Sequence, residues 1–192
     1  MKLLKYIVNV FILVLSISTT YAASSLQRDN DTMYFNGSIM PKDMSDLYTE
    51  FDKQPFSTLI LNSGGGDFDE GIKLGQFVQA NNVKIRVTKF CASSCTFAFF
   101  MAYHKEMDDT AYLVLHNISM YSEDAKDTDI ITIQQAKNYS QEAAIASSKM
   151  ILLYARAGIP LSVLDLVAVS TGQKKVLISK NDLIRFKILK KD

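Results

Sequence analysis

Two short segments constrain this chain more than any other part of its sequence. Asn62–Gly66 ends one apolar run, and Cys91–Cys95 lies between two others. Consecutive glycines cost backbone entropy and leave main-chain N–H groups unshielded by side chains. Ser94 precedes an apolar helical run, where the first N–H groups of a helix point outward and the helix dipole favours negative charge. Both segments therefore stand where ligands bind in α/β domains, at the junction between a strand and a helix.

The other apolar patterns predict strands and helices in alternation. Strands are predicted over residues 33–39, 57–61, 83–87, 112–115, 175–178 and 184–189, and helices from residue 41 onward, over 68–78, 94–101, 130–157 and 160–167. Residues 117–128 are polar and acidic, which indicates a loop or lid. This alternation predicts a layered α/β domain with mostly parallel pairing of its strands.

The first residues have the pattern of a cleavable signal peptide. Lys2 and Lys5 precede the apolar run Tyr6–Ile17, which is shorter than the about 20 residues that span a bilayer. Thr20–Ala22 places small residues where signal peptidase cleaves, so we expect cleavage after Ala22. This leaves a single domain over residues 23–192, periplasmic or secreted and without a membrane association. An uncleaved N-terminal anchor is the alternative.

The charge balance excludes an electrostatic reason to bind nucleic acid. The formal net charge is +1, and removal of two leader lysines keeps it close to zero. The basic tail Arg185–Lys191 alternates with apolar residues, which predicts an edge strand with solvated lysines. Asp67, Asp69 and Glu70 suit the first turn of a helix better than a metal site, because no further ligands stand at suitable spacing. We expect neither a metal nor a cofactor.

Ser94 and His116 together suggest nucleophilic catalysis. A serine hydroxyl needs a base to remove its proton, and imidazole titrates near neutral pH. His116 closes the predicted strand over 112–115, whereas His104 stands beside charged residues and is expected to be solvated. Either residue alone is weak evidence: Ser94 would also serve as a helix cap, and Ser93 is a rival for both roles.

The order of three motifs resembles the Clp-protease/crotonase superfamily, and in particular its exported Clp-like serine peptidase relatives. The motifs are Asn62–Gly66, Phe90–Thr96 and Val114–His116, and the resemblance extends over residues 33–189. It implies a layered fold of repeated ββα units with mostly parallel strands. It also implies that Ser94 is the nucleophile, that His116 is the base, and that the backbone N–H groups of Gly65 and Cys95 form the oxyanion hole.

The sequence departs from this family at the third catalytic position. The family's aspartate would fall near residues 169–171, where the chain has no carboxylate, and Asp165 is the nearest acid before it. Loss of the acid that orients the histidine lowers activity about 10⁴-fold in the best-studied triad. Three outcomes stay open: a serine–histidine dyad, recruitment of Asp165 or of a Ser170 or Thr171 hydroxyl, or an inactive domain.

Cys91 and Cys95 are the two cysteines of the chain. In an exported protein such a pair favours a disulfide. A bond over this spacing requires Cys91 to lie outside the helix, and we expect it in the preceding turn, where the bond would lock the segment that aims Ser94. Two buried thiols are the alternative.

Three classes of function follow. The first is an exported serine hydrolase, a peptidase acting on a peptide or protein substrate. The second is a catalytically degenerate Clp-like domain that binds a peptide or assembles into homo-oligomers. The third is a Cys91/Cys95 redox protein, although three residues separate the cysteines where thioredoxin-like motifs have two. A serine–lysine dyad would not need His116, and acyl-CoA chemistry is disfavoured outside the cytosol.

Overall fold

The computed structural model describes residues 24–118, 132–170 and 174–191. The leader predicted over residues 1–22 and most of the polar segment 117–128 lie outside the described residues. The strands are β1 (Ser25–Asp29), β2 (Thr32–Asn36), β3 (Thr58–Asn62), β4 (Lys84–Val87), β5 (Phe90–Ala92), β6 (Lys105–Met107), β7 (Tyr112–Leu115) and β8 (Val176–Ser179). The helices are α1 (Pro41–Lys53), α2 (Phe68–Ala80), α3 (Cys95–Met101), α4 (Ile133–Arg156), α5 (Leu161–Ala168) and α6 (Lys180–Arg185).

The first sheet has the strand order β1-β2-β3-β4-β6. Only β1 pairs antiparallel within it, and the register of the parallel strands sets Phe35 beside Leu61 and Leu59 beside Ile85. All four of these side chains are buried, because alternate residues of paired strands share one face of the sheet and this face lies against the core. Residues 63–66, here called the glycine bend, follow the carboxyl end of β3, which lies in the middle of this sheet.

The second sheet has the order β5-β7-β8, with β5 parallel to β7 and β8 antiparallel. It meets the first sheet at a parallel bridge between Ser63 and Cys91. There the Ser63 N–H donates to the Phe90 carbonyl at 3.2 Å, and the Ala92 N–H donates to the Ser63 carbonyl at 2.9 Å. The glycine bend is thereby tied to the strand that leads into the Ser94 turn.

Helices α2 and α3 pack closely because α2 presents glycine to α3. A Cβ added at Gly71 would lie 2.5 Å from the Cβ of Ser94, and one added at Gly75 would lie 2.5 Å from the Sδ of Met101. The apolar side of α3 is buried with Phe97 and Phe99. The glycines of α2 thus let the helix that follows Ser94 sit deep in the core.

The long helix α4 joins the core only through its C-terminal part. Thr132 and Gln135 form a capping box at its start, whereas Met150 and Tyr154 near its end are buried. Within the described ranges, no helix has both the length and the apolar composition that crossing a membrane requires.

The predicted strand over residues 184–189, and with it the edge strand of the basic tail, is wrong. Residues Lys180–Arg185 form α6, and turns follow it. Ser179 and Asp182 make a reciprocal capping box, with the Asp182 N–H 3.2 Å from Ser179 Oγ and the Ser179 N–H 3.0 Å from Asp182 Oδ2. Alternation over so few residues fits a helix or a strand, and the cap favours the helix.

The layered α/β domain with mostly parallel pairing is confirmed, but three short strands are additional to the sequence prediction. These are β1, β5 and β6. Cys91 accordingly lies in β5 and not in the turn. β5 and β6 have three residues each, which is too few for a periodic pattern, and β1 has one apolar residue among its five. These strands form because neighbouring strands supply the hydrogen bonds.

Candidate functional site

The glycine bend contacts the serine turn, which consists of Ser93 and Ser94 between β5 and α3. A Cβ added at Gly65 would lie 2.6 Å from the Cβ of Ser93 and 3.1 Å from the backbone nitrogen of Ser94. Gly65 has φ +93°, a conformation that glycine adopts without strain. Glycine is therefore required here for two reasons, the backbone conformation and the close approach of the second segment.

Asn62 holds the start of this bend with its side chain. Its Nδ2 donates to Asn36 Oδ1 at 3.2 Å and to Thr88 Oγ1 at 2.9 Å. Its Oδ1 accepts from the Lys89 N–H at 2.9 Å and from the Thr88 N–H at 3.3 Å. In the sequence, Asn62 stands out only as part of the motif Asn62–Gly66. Its position at the end of a buried strand, just before three glycines, is the signal for this anchoring role.

Ser94 lies at the N-terminal end of α3 with helical backbone angles, φ −56° and ψ −23°. It is 2% exposed, and its Oγ has no hydrogen-bond partner among the described residues. It does not cap the helix with its side chain. A buried hydroxyl without a partner costs about 1–3 kcal/mol, so the role of a structural cap does not explain this serine.

Ser93 has the strained backbone of the turn, with φ +54°. It is half-buried, and its N–H donates to the Val114 carbonyl at 3.0 Å. Its carbonyl accepts from both the N–H and the Oγ1 of Thr96. The Ser93 carbonyl thus caps the start of this helix, and the Ser94 hydroxyl takes no part in the cap.

His116 follows the end of β7, beside the strand that leads to Ser94. The pairing of Ala92 with Val114 continues to the Ser93 N–H, so Ser94 and His116 follow the ends of neighbouring parallel strands. The Nδ1 atom of His116 lies 2.7 Å from the carbonyl oxygen of Asn117. No hydrogen bond joins His116 to Ser94, since Ser94 Oγ has no partner in the described part of the chain.

The two predicted oxyanion donors differ. The Gly65 N–H donates to Ser63 Oγ at 3.0 Å, which closes a small ring within the bend. For the N–H of Cys95, the first residue of α3, no acceptor lies among the described residues. One donor is thus open, and the other would have to exchange Ser63 Oγ for a ligand oxygen.

Asp165 is not brought to His116. It lies on the exposed side of α5, and no hydrogen bond or ion pair of its carboxylate occurs in the described ranges. Ser170 does approach: its Oγ accepts from the N–H of Asn117 at 2.7 Å and donates to the Val167 carbonyl at 2.7 Å. Thr171 lies outside the described residues.

The predicted disulfide is confirmed. Cys91 and Cys95 are bonded, with their Cα atoms 5.4 Å apart. The bond joins β5 to the first residue of α3 and encloses both turn serines. A redox role for Cys91 and Cys95 would not explain the glycine bend beside them.

The acidic residues after the glycines serve the helix. Asp67 caps α2 by accepting from the Glu70 N–H at 2.9 Å, and Glu70 pairs with Lys73 at 2.7 Å. Among the described residues there is no cluster of three or more side chains suited to hold a metal ion.

Lys105 is the partly buried base that sequence reasoning missed. Burial lowers the pKa of its amine to about 8, and its Nζ donates to the Phe100 carbonyl at 2.9 Å. Phe100 lies near the C-terminal end of α3, whereas Ser94 lies at the N-terminal end of this helix. Lys105 therefore does not supply the base of a serine–lysine dyad with Ser94.

Two large surface cavities, of about 870 and 1110 Å³, lie elsewhere. The first runs between α2 and α4, and the second lies beside β6; Lys105 lines both, and neither Ser94 nor His116 lines either. The candidate site is therefore a compact strand-end site and not one of these clefts.

Of the comparisons with known proteins, the one with solved structures bears on the fold. No known protein family matches the sequence, and no curated protein matches it. Among solved structures, a mutant of ClpP1 from Listeria monocytogenes superposes with a TM-score of 0.63 at 13% identity, covering 83% of this chain and 88% of that chain. The chain has a ClpP-like fold. This confirms the Clp/crotonase-like fold predicted from the three motifs.

Proposed function

We propose that this protein is an exported serine hydrolase that cleaves peptide or protein substrates, with Ser94 as nucleophile and His116 as base. The proposal includes export through the leader of residues 1–22, a periplasmic or secreted location, and no cofactor. Assembly into homo-oligomers is part of the same proposal. The ClpP-like fold supports the reaction class and the assembly by analogy. The pattern of the leader supports export, and the residues around Ser94 support their catalytic roles.

The single observation that carries the proposal is the orphan hydroxyl of Ser94. Buried polar side chains almost always have partners, and the exceptions call for an explanation such as a catalytic role. This hydroxyl lies at the start of a helix, against a glycine bend, and at the end of the strand beside His116. A structural serine would be expected to cap α3, which the Ser93 carbonyl does instead.

The reaction follows from these groups. Ser94 Oγ attacks the substrate carbonyl carbon while His116 Nε2 takes its proton, and the N–H of Cys95 stabilises the oxyanion. The Gly65 N–H adds a second donor when it exchanges Ser63 Oγ for the oxyanion. His116 then returns the proton to the leaving group as the acyl bond breaks. It next takes a proton from a water molecule, which hydrolyses the acyl-Ser94 ester and restores the serine. Hydrogen bonds of catalytic groups are often unformed without substrate and tighten when it binds.

A non-catalytic peptide-binding domain is the second candidate. It is favoured by the absence of a Ser94–His116 hydrogen bond in the described structure and by the Gly65 N–H engaged within the bend. In that case the orphan hydroxyl of Ser94 has no catalytic use.

Labelling with a fluorophosphonate probe separates the two candidates. The probe reacts with activated serines, and it should label the wild-type protein and His104→Gln but not Ser94→Ala. Ser93→Ala is the matched control, since it removes the neighbouring hydroxyl of the same turn. Circular dichroism of each variant shows whether it is folded.

We expect His116→Ala to lose labelling, because the serine then has no base. Folded wild-type protein without any label would favour the binding domain. Label retained in Ser94→Ala and lost in Ser93→Ala would move the nucleophile to Ser93. Label retained in His116→Ala would contradict the role of this histidine.

A further inference from the structure

Asn117, the residue after His116, is the centre of a hydrogen-bond cluster. Its N–H donates to Ser170 Oγ at 2.7 Å, and its Nδ2 donates to the Ala168 carbonyl at 2.9 Å. Its Oδ1 accepts from Ser147 Oγ at 2.9 Å and from the Ile118 N–H at 2.8 Å. The residue therefore joins the end of β7 to both α4 and the end of α5.

The carbonyl of this anchored residue contacts the His116 ring. Nδ1 lies 2.7 Å from the Asn117 oxygen, and a carbonyl oxygen can only accept a hydrogen bond. Nδ1 must therefore carry the proton in the neutral ring, which leaves the lone pair on Nε2. An Nε2 lone pair is what a histidine needs to take the proton of a serine hydroxyl.

In serine–histidine–aspartate sites, the carboxylate performs this orientation. Here the family pattern places the acid near residues 169–171, and the chain has Ser170 at that place. Ser170 is 3% exposed, and its hydroxyl is held between the Val167 carbonyl and the Asn117 N–H. Ser170 thus reaches the histidine indirectly, through the backbone of the residue next to it.

We propose that Asn117 and Ser170 are positioning residues that replace the missing acid: Ser170 fixes the Asn117 backbone, and the Asn117 carbonyl fixes His116 as the Nδ1–H tautomer. This inference rests on the proposed function for its purpose, since a tautomer matters only to a base. A neutral carbonyl orients the ring but stabilises an imidazolium less than a carboxylate does. The site is therefore a dyad with a backbone orienter, and it should be slower than a full triad.

Nitrogen-15 NMR of the histidine rings tests the inference without measuring activity. The chain has two histidines, and the exposed His104 is an internal reference that His104→Gln assigns. In buffer alkaline enough to keep imidazole neutral, the His116 ring of the wild-type protein should show a protonated Nδ1 and an unprotonated Nε2. His104 should show the average of both tautomers that an unrestrained ring gives.

Variants of Ser170 and Asn117 test which contacts fix the tautomer of His116. Ser170→Ala should move the His116 signals toward the average, and Ser170→Thr, which keeps the hydroxyl, should restore them. Asn117→Ala removes the side-chain anchors and should shift them in the same direction. Ser148→Ala, which removes an exposed hydroxyl of α4 bonded only to Ala144 in the described structure, should leave them unchanged. Fluorophosphonate labelling of Ser170→Ala should slow by at least about 10-fold, with about 10⁴-fold as the limit when the tautomer is lost.

The outcomes separate this inference from the proposed function. A fixed Nδ1–H tautomer that Ser170→Ala abolishes supports the inference even if no serine is labelled. An Nε2–H or averaged ring in the wild-type protein overturns it even if Ser94 is labelled. If the His116 tautomer is unchanged in both Ser170→Ala and Asn117→Ala, and both variants are folded, the proposed role of these residues is overturned. If Ser170→Ala does not fold, Asn117→Ala decides: His116 signals that are unchanged in this folded variant overturn the inference.

Discussion

At the scale of single residues, the site depends on two glycines, whose lack of a Cβ atom allows close packing around Ser94. Gly65 and Gly71 let the turn around Ser94 approach the bend on one side and α2 on the other. The two contacts have different physical bases: Gly65 has a backbone conformation that disfavours a side chain, whereas Gly71 is helical and needs only the space. These two close contacts leave little space around Ser94, which explains why its hydroxyl is buried.

Gly71→Ala should destabilise the protein. The new Cβ would lie 2.5 Å from the Ser94 Cβ and 2.7 Å from the Ser94 carbonyl oxygen, and overpacking of this kind costs about 1–3 kcal/mol. Better helix propensity returns up to about 1 kcal/mol. The measurement is urea denaturation, with Gly64→Ala as the matched control, because nothing lies within 4 Å of a Cβ at Gly64. Equal stability of the two variants would contradict a tight contact between α2 and Ser94.

At the scale of elements, capping residues at a helix end distinguish a helix from a strand where the spacing of apolar residues fits both. The capping box of Ser179 and Asp182 starts α6, whose last residues overlap the beginning of the strand predicted over residues 184–189. The Ser179 hydroxyl bond, followed by the Ser179 backbone bond, lowers the pKa of Asp182 below its usual 3.8. The carboxylate is therefore stabilised in the folded state, and the cap depends on its charge.

Ser179→Ala should lower the free energy of unfolding by about 1 kcal/mol at neutral pH, as removal of a cap does. Because the folded-state pKa of Asp182 is depressed, its contribution is present above the ordinary pKa of 3.8 and is lost as the pH falls through the lowered value. The difference between wild type and variant should thus shrink in acid. Denaturation at several pH values measures it, with Ser148→Ala as a control that stays near wild type throughout. A difference that does not change with pH would contradict the role of the Asp182 charge.

At the scale of the whole molecule, a contact between distant residues joins the site helix to α4. Thr96 Oγ1 donates its single hydrogen to the Ser93 carbonyl at 2.6 Å. Tyr154 must therefore be the donor in the 2.7 Å bond between the Tyr154 hydroxyl and Thr96 Oγ1. Tyr154 is fully buried, and burial raises the pKa of its hydroxyl. Through these two hydrogen bonds, the position of α4 affects the turn that carries Ser93 and Ser94.

Tyr154→Phe should destabilise the protein by about 1 kcal/mol, the usual net value of one hydrogen bond. The loss is modest because Thr96 Oγ1 keeps the Ser93 carbonyl. Since the folded-state pKa of Tyr154 is raised, the stability that it contributes is present below the ordinary tyrosine pKa of 10.0 and is lost as the pH rises above it. Thermal unfolding at neutral and alkaline pH measures both effects. The exposed Tyr103→Phe is the control, and equal effects of the two variants would contradict the buried bond.

The sequence by itself determined the layered α/β domain, most of the helices, the disulfide and the two segments that meet at Ser94. Amphipathic spacing and consecutive glycines are local signals, and local physics suffices to interpret them. Only the tertiary structure decided the strands β1, β5 and β6 and the arrangement around His116. Asp165 was the nearest acid along the chain, yet the fold turns it to solvent and brings Ser170 to Asn117 instead. Hydrogen bonds between residues more than fifty positions apart depend on how α4 and α5 pack, and no pattern of neighbouring residues encodes that packing.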